Sequence, residues 1–158
     1  MSKTLVAYFS WTGHTRQVAE EIAAALDADV ETIREVNARS GWTAYIRSIW
    51  EVLTARLVPI VAPGKDPAAY DLVVLGTPVW AGRMSSPLRA YITRQTASLS
   101  RIAVFCTEGG ASGEKVVREI SELCGTSPVA TLVVTEPEIR SGEWRHKVAE
   151  FVKPLRLP

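Results

Sequence analysis

The sequence predicts a three-layer α/β/α sandwich built around a doubly wound, five-stranded parallel sheet. Five short runs rich in Val, Ile, Leu and aromatic residues alternate with helical patterns along the 158 residues. Several of these runs are apolar nearly throughout, which is typical of strands buried on both faces of a parallel sheet. The alternation of strands and helices indicates the doubly wound arrangement. The predicted strands are KTLVAYF from Lys3, DVETIR from Asp29, DLVVLGT from Asp71, RIAVFCT from Arg101 and VATLVVT from Val129.

Four segments outside these strands carry apolar residues at helical spacing. Ser86 and Pro87 are a suitable cap and first-turn pair for the second helix. The third helix is expected to begin at Ser112 and end at Gly125, and Pro154 ends the last. The apolar stripes are Val18, Ile22 and Leu26; Leu88, Tyr91 and Ile92; Val116, Ile120, Leu123 and Cys124; and Trp144, Val148, Phe151 and Val152.

The loop after the first strand indicates the strand order. A dinucleotide fold carries G-x-G-x-x-G at this point, whereas residues 10–15 read SWTGHT. The order 2-1-3-4-5 is therefore favoured, and it places the first, third and fourth strands side by side. Ligands of such sheets bind beyond the carboxyl ends of the strands, so the loops after these three strands are expected to converge on one site.

The first of these loops predicts a phosphate site. It carries hydroxyl groups at Ser10, Thr12 and Thr15, and Gly13 allows close approach of the backbone. N–H groups at a helix N-terminus have no internal partners, so amides and hydroxyls alone can hold a phosphate there. An ordinary Ser/Thr-rich helix cap is the alternative. His14 is either a charge near the phosphate or an exposed turn residue.

The other two loops predict contacts with a planar ligand. TPVWAGR, from Thr77 to Arg83, is a tight loop with Trp80 at its tip, where a planar ligand or a neighbouring loop would bury the indole. TEGGASG, from Thr107 to Gly113, contains adjacent glycines that let N–H and C=O groups approach a ligand edge. A glycine-rich turn without a ligand is the alternative for this second loop.

Composition limits the classes of function. The formal charge of +1 gives no chain-wide electrostatic case for nucleic acid or an anionic membrane surface. The apolar runs are far shorter than the ~20 residues of a membrane helix, so we expect a soluble, cytoplasmic protein. Cys106 and Cys124 lack metal-ligand or C-x-x-C spacing, which predicts no disulfide framework and no metal site. Residues 1–158 are expected to form one domain.

Three segments resemble the flavodoxin family, whose fold is this five-stranded sandwich and whose cofactor is FMN. They are KTLVAYFSWTGHTRQVAEEI, LGTPVWAGRMSSPLRAYI and VFCTEGG. The resemblance implies that the phosphate is held by Ser10, Trp11, Thr12, Gly13, His14 and Thr15. It implies that the isoalloxazine ring is flanked by Pro78, Val79, Trp80, Ala81 and Gly82, with Trp80 stacked on it. The polar edge of the ring would meet Thr107, Glu108, Gly109 and Gly110.

The charge balance differs from that of electron-shuttling flavodoxins, which resemble one another in being strongly acidic. Arg16 and Arg83 flank two of the predicted loops, and only Glu108 opposes them. A positive charge near the reduced flavin would favour two-electron chemistry over one-electron transfer. The alternative is that Arg83 is a solvated loop residue.

A second departure is an aromatic segment between the second and third strands. Such a stripe at helical spacing is most often core. The alternative is that part of it, Trp42 in particular, walls the flavin site or forms a homodimer contact. The stripe consists of Trp42, Tyr45, Ile46, Ile49, Trp50, Leu53 and Leu57.

Two redox functions and one non-redox function agree with these patterns. The first is an FMN-binding protein that transfers electrons through the flavin to a redox partner protein or a small acceptor, with no side chain acting as a catalytic group. The second is an NAD(P)H-dependent quinone or related reductase that uses FMN. The third is an FMN-free interaction module.

Overall fold

The computed structural model describes residues 3–37 and 41–156, without the side chains of Trp42 and Tyr45. Its strands are β1 (Thr4–Tyr8), β2 (Asp29–Thr32), β3 (Leu72–Trp80), β4 (Arg83–Met84), β5 (Ile102–Glu108) and β6 (Thr131–Thr135). Five of them pair in parallel in the order β2-β1-β3-β5-β6, and β4 pairs antiparallel with the end of β3. Without the two-residue β4 this is the order 2-1-3-4-5, so the predicted fold class is confirmed.

Six α-helices connect or follow these strands in the described part of the chain. They are α1 (His14–Leu26), α2 (Trp42–Leu53), α3 (Ser86–Gln95), α4 (Gly113–Cys124), α5 (Glu136–Ser141) and α6 (Trp144–Val152). The four predicted stripes lie on α1, α3, α4 and α6. The short α5 was not predicted, although Thr135 and Glu138 form a capping box at its start. Within residues 3–37 and 41–156, no helix is both long and apolar enough to cross a membrane.

The core has two halves, one on each face of the sheet. Successive side chains of a strand point to opposite faces, and β1 shows this directly. Leu5 and Ala7 belong to the cluster that contains α3 and α4, whereas Val6 and Tyr8 belong to the cluster that contains α1 and α6. The sheet is therefore covered on both sides, which explains why its central strands are apolar nearly throughout.

The register of the central strands aligns their carboxyl ends. Tyr8 of β1 pairs with Gly76 of β3, and Pro78 of β3 pairs with Thr107 of β5. The segments after β1 and β5 therefore leave the sheet at one edge, beside the hairpin that ends β3. The predicted convergence of the three loops follows from this register.

The packing of α2 differs from the core prediction. Ile46, Trp50 and Leu53 are 52%, 52% and 56% exposed, and Leu57, beyond the helix, is 53% exposed. The buried face is the opposite one, with Ala44, Ser48 and Val52. The core interpretation is therefore wrong for the four exposed residues, and Ile49 is half-buried. The hypothesis about Trp42 concerns a side chain outside the described residues.

Gly76 allows β3 to pack against the ring of Phe105 on the neighbouring strand. A Cβ atom at this position would lie 2.1 Å from Cζ of Phe105, which is fully buried. We expect Gly76→Ala to lower the free energy of unfolding by about 1–3 kcal/mol, the usual cost of overpacking a core. Urea unfolding followed by circular dichroism measures this change.

Gly64→Ala is the matched control, since the nearest atom to an added Cβ there is Glu31 Oε2 at 3.7 Å. Its effect is expected to stay within about 0.5 kcal/mol of the wild type. Equal unfolding midpoints for the two variants would contradict the assignment of close packing at Gly76.

Candidate functional site

A cleft of about 370 Å³ lies at the carboxyl edge of the sheet. All three predicted loops contribute to its lining. The predicted residues that line it are Trp11, Thr12, His14, Thr15, Pro78, Val79, Trp80, Ala81, Thr107, Glu108 and Gly109. Four predicted residues are not part of the lining: Ser10, Gly13, Gly82 and Gly110.

Ser10 shapes the first loop from within. Its Oγ accepts hydrogen bonds from the N–H groups of Gly13 and Arg16, each at 3.2 Å. Gly13 precedes α1 with φ of 101°, a conformation that favours glycine. The N–H groups of His14 and Thr15 follow in the first turn of α1, where no intrahelical acceptor exists, and no described protein atom accepts from them.

A buried hydroxyl pair ties the first loop to β5. Oγ1 of Thr15 and Oγ1 of Thr107 lie 2.7 Å apart and share a hydrogen bond. Both residues line the cleft. The N-terminus of α1 is therefore held against the end of β5 from inside the site.

The loop predicted after the third strand is a β-hairpin. Residues from Thr77 to Trp80 continue β3, and Trp80 pairs with Arg83 of β4. Ala81 and Gly82 have φ of 48° and 74°, the positive values that a type I′ turn requires at both central positions. The loop is thus as tight as predicted, but Ala81 and Gly82 form its tip, and Trp80 is the last residue of β3.

Trp80 is held between two aromatic rings of the first loop region. Its ring centroid lies 5.4 Å from that of Phe9 and 5.5 Å from that of Trp11, both in edge-to-face geometry. Trp11 is 40% exposed, and it lines the cleft together with Trp80. The site therefore has two indoles available to a planar ligand, although the sequence singled out only Trp80 for this role.

Glu108 caps a helix as well as lining the cleft. One oxygen, Oε2, accepts hydrogen bonds from the N–H groups of Ser112 and Gly113, each at 2.7 Å. These groups belong to the N-terminus of α4, where the helix dipole favours a negative charge. The carboxylate is thereby fixed at the rim of the site.

Three residues outside the three predicted loops also line the cleft: Ser48, Ile49 and Glu136. Glu136 begins α5, and its Oε1 would lie 3.4 Å from a Cβ atom added to Gly109. The capping box of α5 is a sequence signal that predicts a helix after β6 and hence a fourth segment at the same edge. Ser48 and Ile49 lie on α2. Ile49 belongs to the aromatic segment that the alternative hypothesis placed at the wall of the site, whereas Ser48 was not predicted.

The arginines near the loops bind carboxylates outside the cleft. Arg16 pairs with Glu20 at 2.8 Å, and Arg83 lies 3.8 Å from Glu119 of α4. Neither arginine lines the cleft, whose charged lining groups are Glu108 and Glu136. Arg16 and Arg83 therefore contribute no charge to the lining itself, and their effect on a bound flavin stays a prediction.

The family model described as flavodoxin matches residues 3–136, most of the chain. The chain belongs to the flavodoxin family. This membership accounts for the sheet order and for the position of the cleft at the carboxyl ends of β1, β3 and β5.

Two curated proteins are similar in sequence to this flavodoxin-family chain. A protein of Cupriavidus metallidurans named NAD(P)H dehydrogenase (quinone) is 32% identical over 70% of this chain and 55% of its own length. One of the same name from Gluconacetobacter diazotrophicus is 30% identical over 58% of this chain and 45% of its own. The chain thus spans about half the length of these curated relatives.

A solved structure shows the same fold. It is the flavoprotein of Lactobacillus acidophilus NCFM in complex with FMN, with a TM-score of 0.74 at 21% sequence identity. The likeness covers 89% of this chain and 98% of that one.

Both cysteines of this flavodoxin-family chain are expected to be unreactive while it is folded. Burial raises the pKa of Cys106 to about 12 and that of Cys124 to about 11. At pH 8 both sulfurs are therefore neutral thiols, which are poor nucleophiles. We expect iodoacetamide at pH 8 to leave the native protein unmodified and to modify both thiols in urea, as measured by mass spectrometry. Rapid modification of native Cys106 would show that it is accessible from the cleft, which it does not line.

Proposed function

We propose that this chain binds FMN in the cleft and transfers electrons through the bound flavin. The single observation that supports this is the meeting of an uncharged phosphate cradle and two indoles at one edge of the sheet. Polar loops at three neighbouring strand ends are each common, but their convergence on one cleft is the arrangement that doubly wound sheets use for nucleotides.

The residues of the cleft fit the chemistry of FMN. First-turn N–H groups of α1 and the hydroxyls of Thr12 and Thr15 can hold a phosphate without a cationic side chain. The indoles of Trp11 and Trp80 offer apolar faces or edges to a planar ring system. A volume of about 370 Å³ lies within the usual range for ligand sites.

The protein part would bind and tune the cofactor rather than act as a catalyst. Bound FMN supplies electron transfer in one-electron or two-electron steps. Glu108 and Glu136 place negative charge at the cleft, which disfavours further negative charge there and hence lowers the reduction potential of a bound group. Trp11, Trp80 and the β3–β4 hairpin would shield a planar ring bound in the cleft from water.

We expect Thr12→Glu to weaken FMN binding at least about a hundredfold. Thr12 is exposed on the cleft, so the variant should still fold. A carboxylate about 4 Å from a phosphate is repelled by about 4 kcal/mol at an effective dielectric constant near 20, before screening by salt. Titration of apoprotein with FMN, followed by quenching of flavin fluorescence, measures the dissociation constant.

Thr93→Glu is the control, because it adds the same charge at an exposed position of α3 outside the cleft. It is expected to bind FMN like the wild type. An unchanged dissociation constant for Thr12→Glu would refute the assignment of the phosphate cradle.

A second candidate is an NAD(P)H-dependent quinone reductase that uses FMN. The observation that favours it is the name NAD(P)H dehydrogenase (quinone) shared by the two curated relatives. The reductase must hold a nicotinamide beside the flavin as well, whereas the carrier needs the cleft for FMN alone. A carrier would exchange electrons with a redox partner protein or a small acceptor such as a quinone.

Anaerobic addition of NADH or NADPH to the FMN-loaded protein separates the two candidates. We expect the visible flavin absorbance to persist with either nucleotide and to bleach with dithionite. Added quinone should then restore the absorbance of the dithionite-reduced protein. Rapid bleaching by one nucleotide, followed by multiple turnovers with quinone, would instead establish the reductase.

A further inference from the structure

The outer face of α2 is an apolar stripe that no described part of the chain covers. Ile46, Trp50 and Leu53 follow spacings of four and three residues, so they lie on one side of the helix. Each is slightly more than half exposed, as is Leu57 just beyond the helix. Single exposed apolar residues are common on proteins, but a contiguous group on one helix face marks an interaction surface.

The exposed charges that border this stripe are cationic. The side chain of Arg47 is 63% exposed, although its Nε donates to the buried Glu51 at 3.1 Å. The guanidinium of Arg56 lies 5.6 Å from the centroid of the Trp50 ring. Glu51 is the acidic residue within residues 41–57, and it lies on the protein side of the helix. Glu51 offsets one of the two arginines, so residues 41–57 carry a formal net charge of +1, and the exposed charge beside Trp50 is that of Arg56.

The turn after α2 holds Arg56 in this position. The N–H of Arg56 donates to the carbonyl of Glu51 at 3.0 Å, and the N–H of Ala55 donates to that of Val52 at 3.2 Å. This pair of bonds is a Schellman motif, with Ala55 at φ of 51° in the left-handed position. The backbone therefore folds back over the last turn, which brings the guanidinium to the indole.

We propose that the outer face of α2 docks on an anionic lipid surface, with the helix lying in the plane of the interface. Trp and branched aliphatic residues on one face, bordered by arginine, are the chemistry of interfacial amphipathic helices. Arginine stems can lie along the apolar boundary while their guanidinium groups bind lipid phosphates. The twelve residues of α2 are about 18 Å long, which suits binding in the interface and not crossing a ~30 Å core.

A lipid surface fits the stripe better than a second copy of the chain does. Two copies would bring the exposed Arg56 side chains of both faces together, which costs electrostatic energy because Glu51, the acidic residue of α2, lies on the protein side and is bonded to Arg47. The stripe also provides four side chains, whereas a standard protein interface uses roughly 20–30 residues on each side. A bilayer supplies negative charge and apolar volume together.

The inner side of the same helix contributes to the cleft. Ser48 and Ile49 line it, so docking through Trp50 and Leu53 would hold the cleft close to the membrane. The lipid proposal itself does not rest on FMN binding, because each residue that carries it lies on the outer face or in the following turn.

Vesicle sedimentation of the FMN-loaded full chain tests the proposal. The probes are phosphatidylcholine vesicles with and without about one third phosphatidylglycerol, at low salt and at about 0.5 M NaCl. We expect at least about tenfold stronger partitioning to the anionic vesicles at low salt, since each arginine near such a surface adds favourable energy. High salt should remove most of this preference. Recovery of wild-type protein in the supernatant with both vesicles would overturn the proposal.

Leu53→Glu should reduce partitioning to anionic vesicles at least about tenfold. Val129→Glu is the matched control, because it places the same charge on an exposed apolar residue outside α2 and should bind like the wild type. Circular dichroism verifies that both variants are folded. If Leu53→Glu and Val129→Glu partition equally to anionic vesicles, the assignment of the lipid surface to α2 is overturned. This holds both when the two variants bind like the wild type and when neither binds.

Light scattering without lipid tests the alternative that a second copy of the chain covers the stripe. We expect the wild type and Leu53→Glu to have the same mass in solution. A wild-type dimer that becomes a monomer in Leu53→Glu would assign the stripe to a second copy and overturn the lipid proposal. Sedimentation needs no flavin, so it can also be run on apoprotein, and a chain that fails to retain FMN leaves this result intact.

Discussion

The parallel pairing of β3 between β1 and β5 is the constraint on which the site depends. It places the carboxyl ends of β1, β3 and β5 at one edge of the sheet, so the segments that follow these three strands all turn at that edge. Gly76 makes this pairing possible, because the ring of Phe105 occupies the space where a side chain on β3 would lie. The bond between Thr15 and Thr107 then joins the first and last of the three segments across the cleft. This hydrogen bond fixes the start of α1 relative to the end of β5.

Two carboxylates near the cleft stabilise the segments around it. Glu119 of α4 accepts from the N–H of Met84 and pairs with Arg83 and Arg89, so the β3–β4 hairpin is fixed by a carboxylate behind it. Glu108 fixes the N-terminus of α4 in the same manner from the front. Arg83 is thereby paired behind the hairpin, and Arg16 pairs with Glu20 on α1, so neither arginine lines the cleft. The carboxylates that line the cleft are Glu108 and Glu136, and the first-turn N–H groups of α1 supply partial positive charge there.

The sequence allowed the strands, their order and three of the contributing loops to be predicted, because these features depend on local periodicity and on turn residues. It could not show that the third strand continues into a hairpin, since Ala81 and Gly82 read equally well as a loop. Glu136 lines the cleft because of where α5 packs against the edge of the sheet, and this position depends on tertiary packing. Ser10 was expected to face the ligand, but its hydroxyl instead binds two amides of its own loop.

The orientation of α2 is another feature that the sequence alone could not predict. Helical periodicity identifies an apolar face and a face with small and polar residues, but it does not state which of them meets the protein. Here the small face packs inward on α3 and β4, where Ser48 satisfies its hydroxyl by donating to Ala44 O at 2.8 Å. Glu51 can be buried there because it is also bonded, to Arg47 among others. Small side chains let a helix approach its neighbours closely, and the larger apolar residues are then left on the outside. The inward side of α2 lines part of the cleft, and its outward face is exposed to the surroundings. A surface bound to the outward face would therefore lie close to the site.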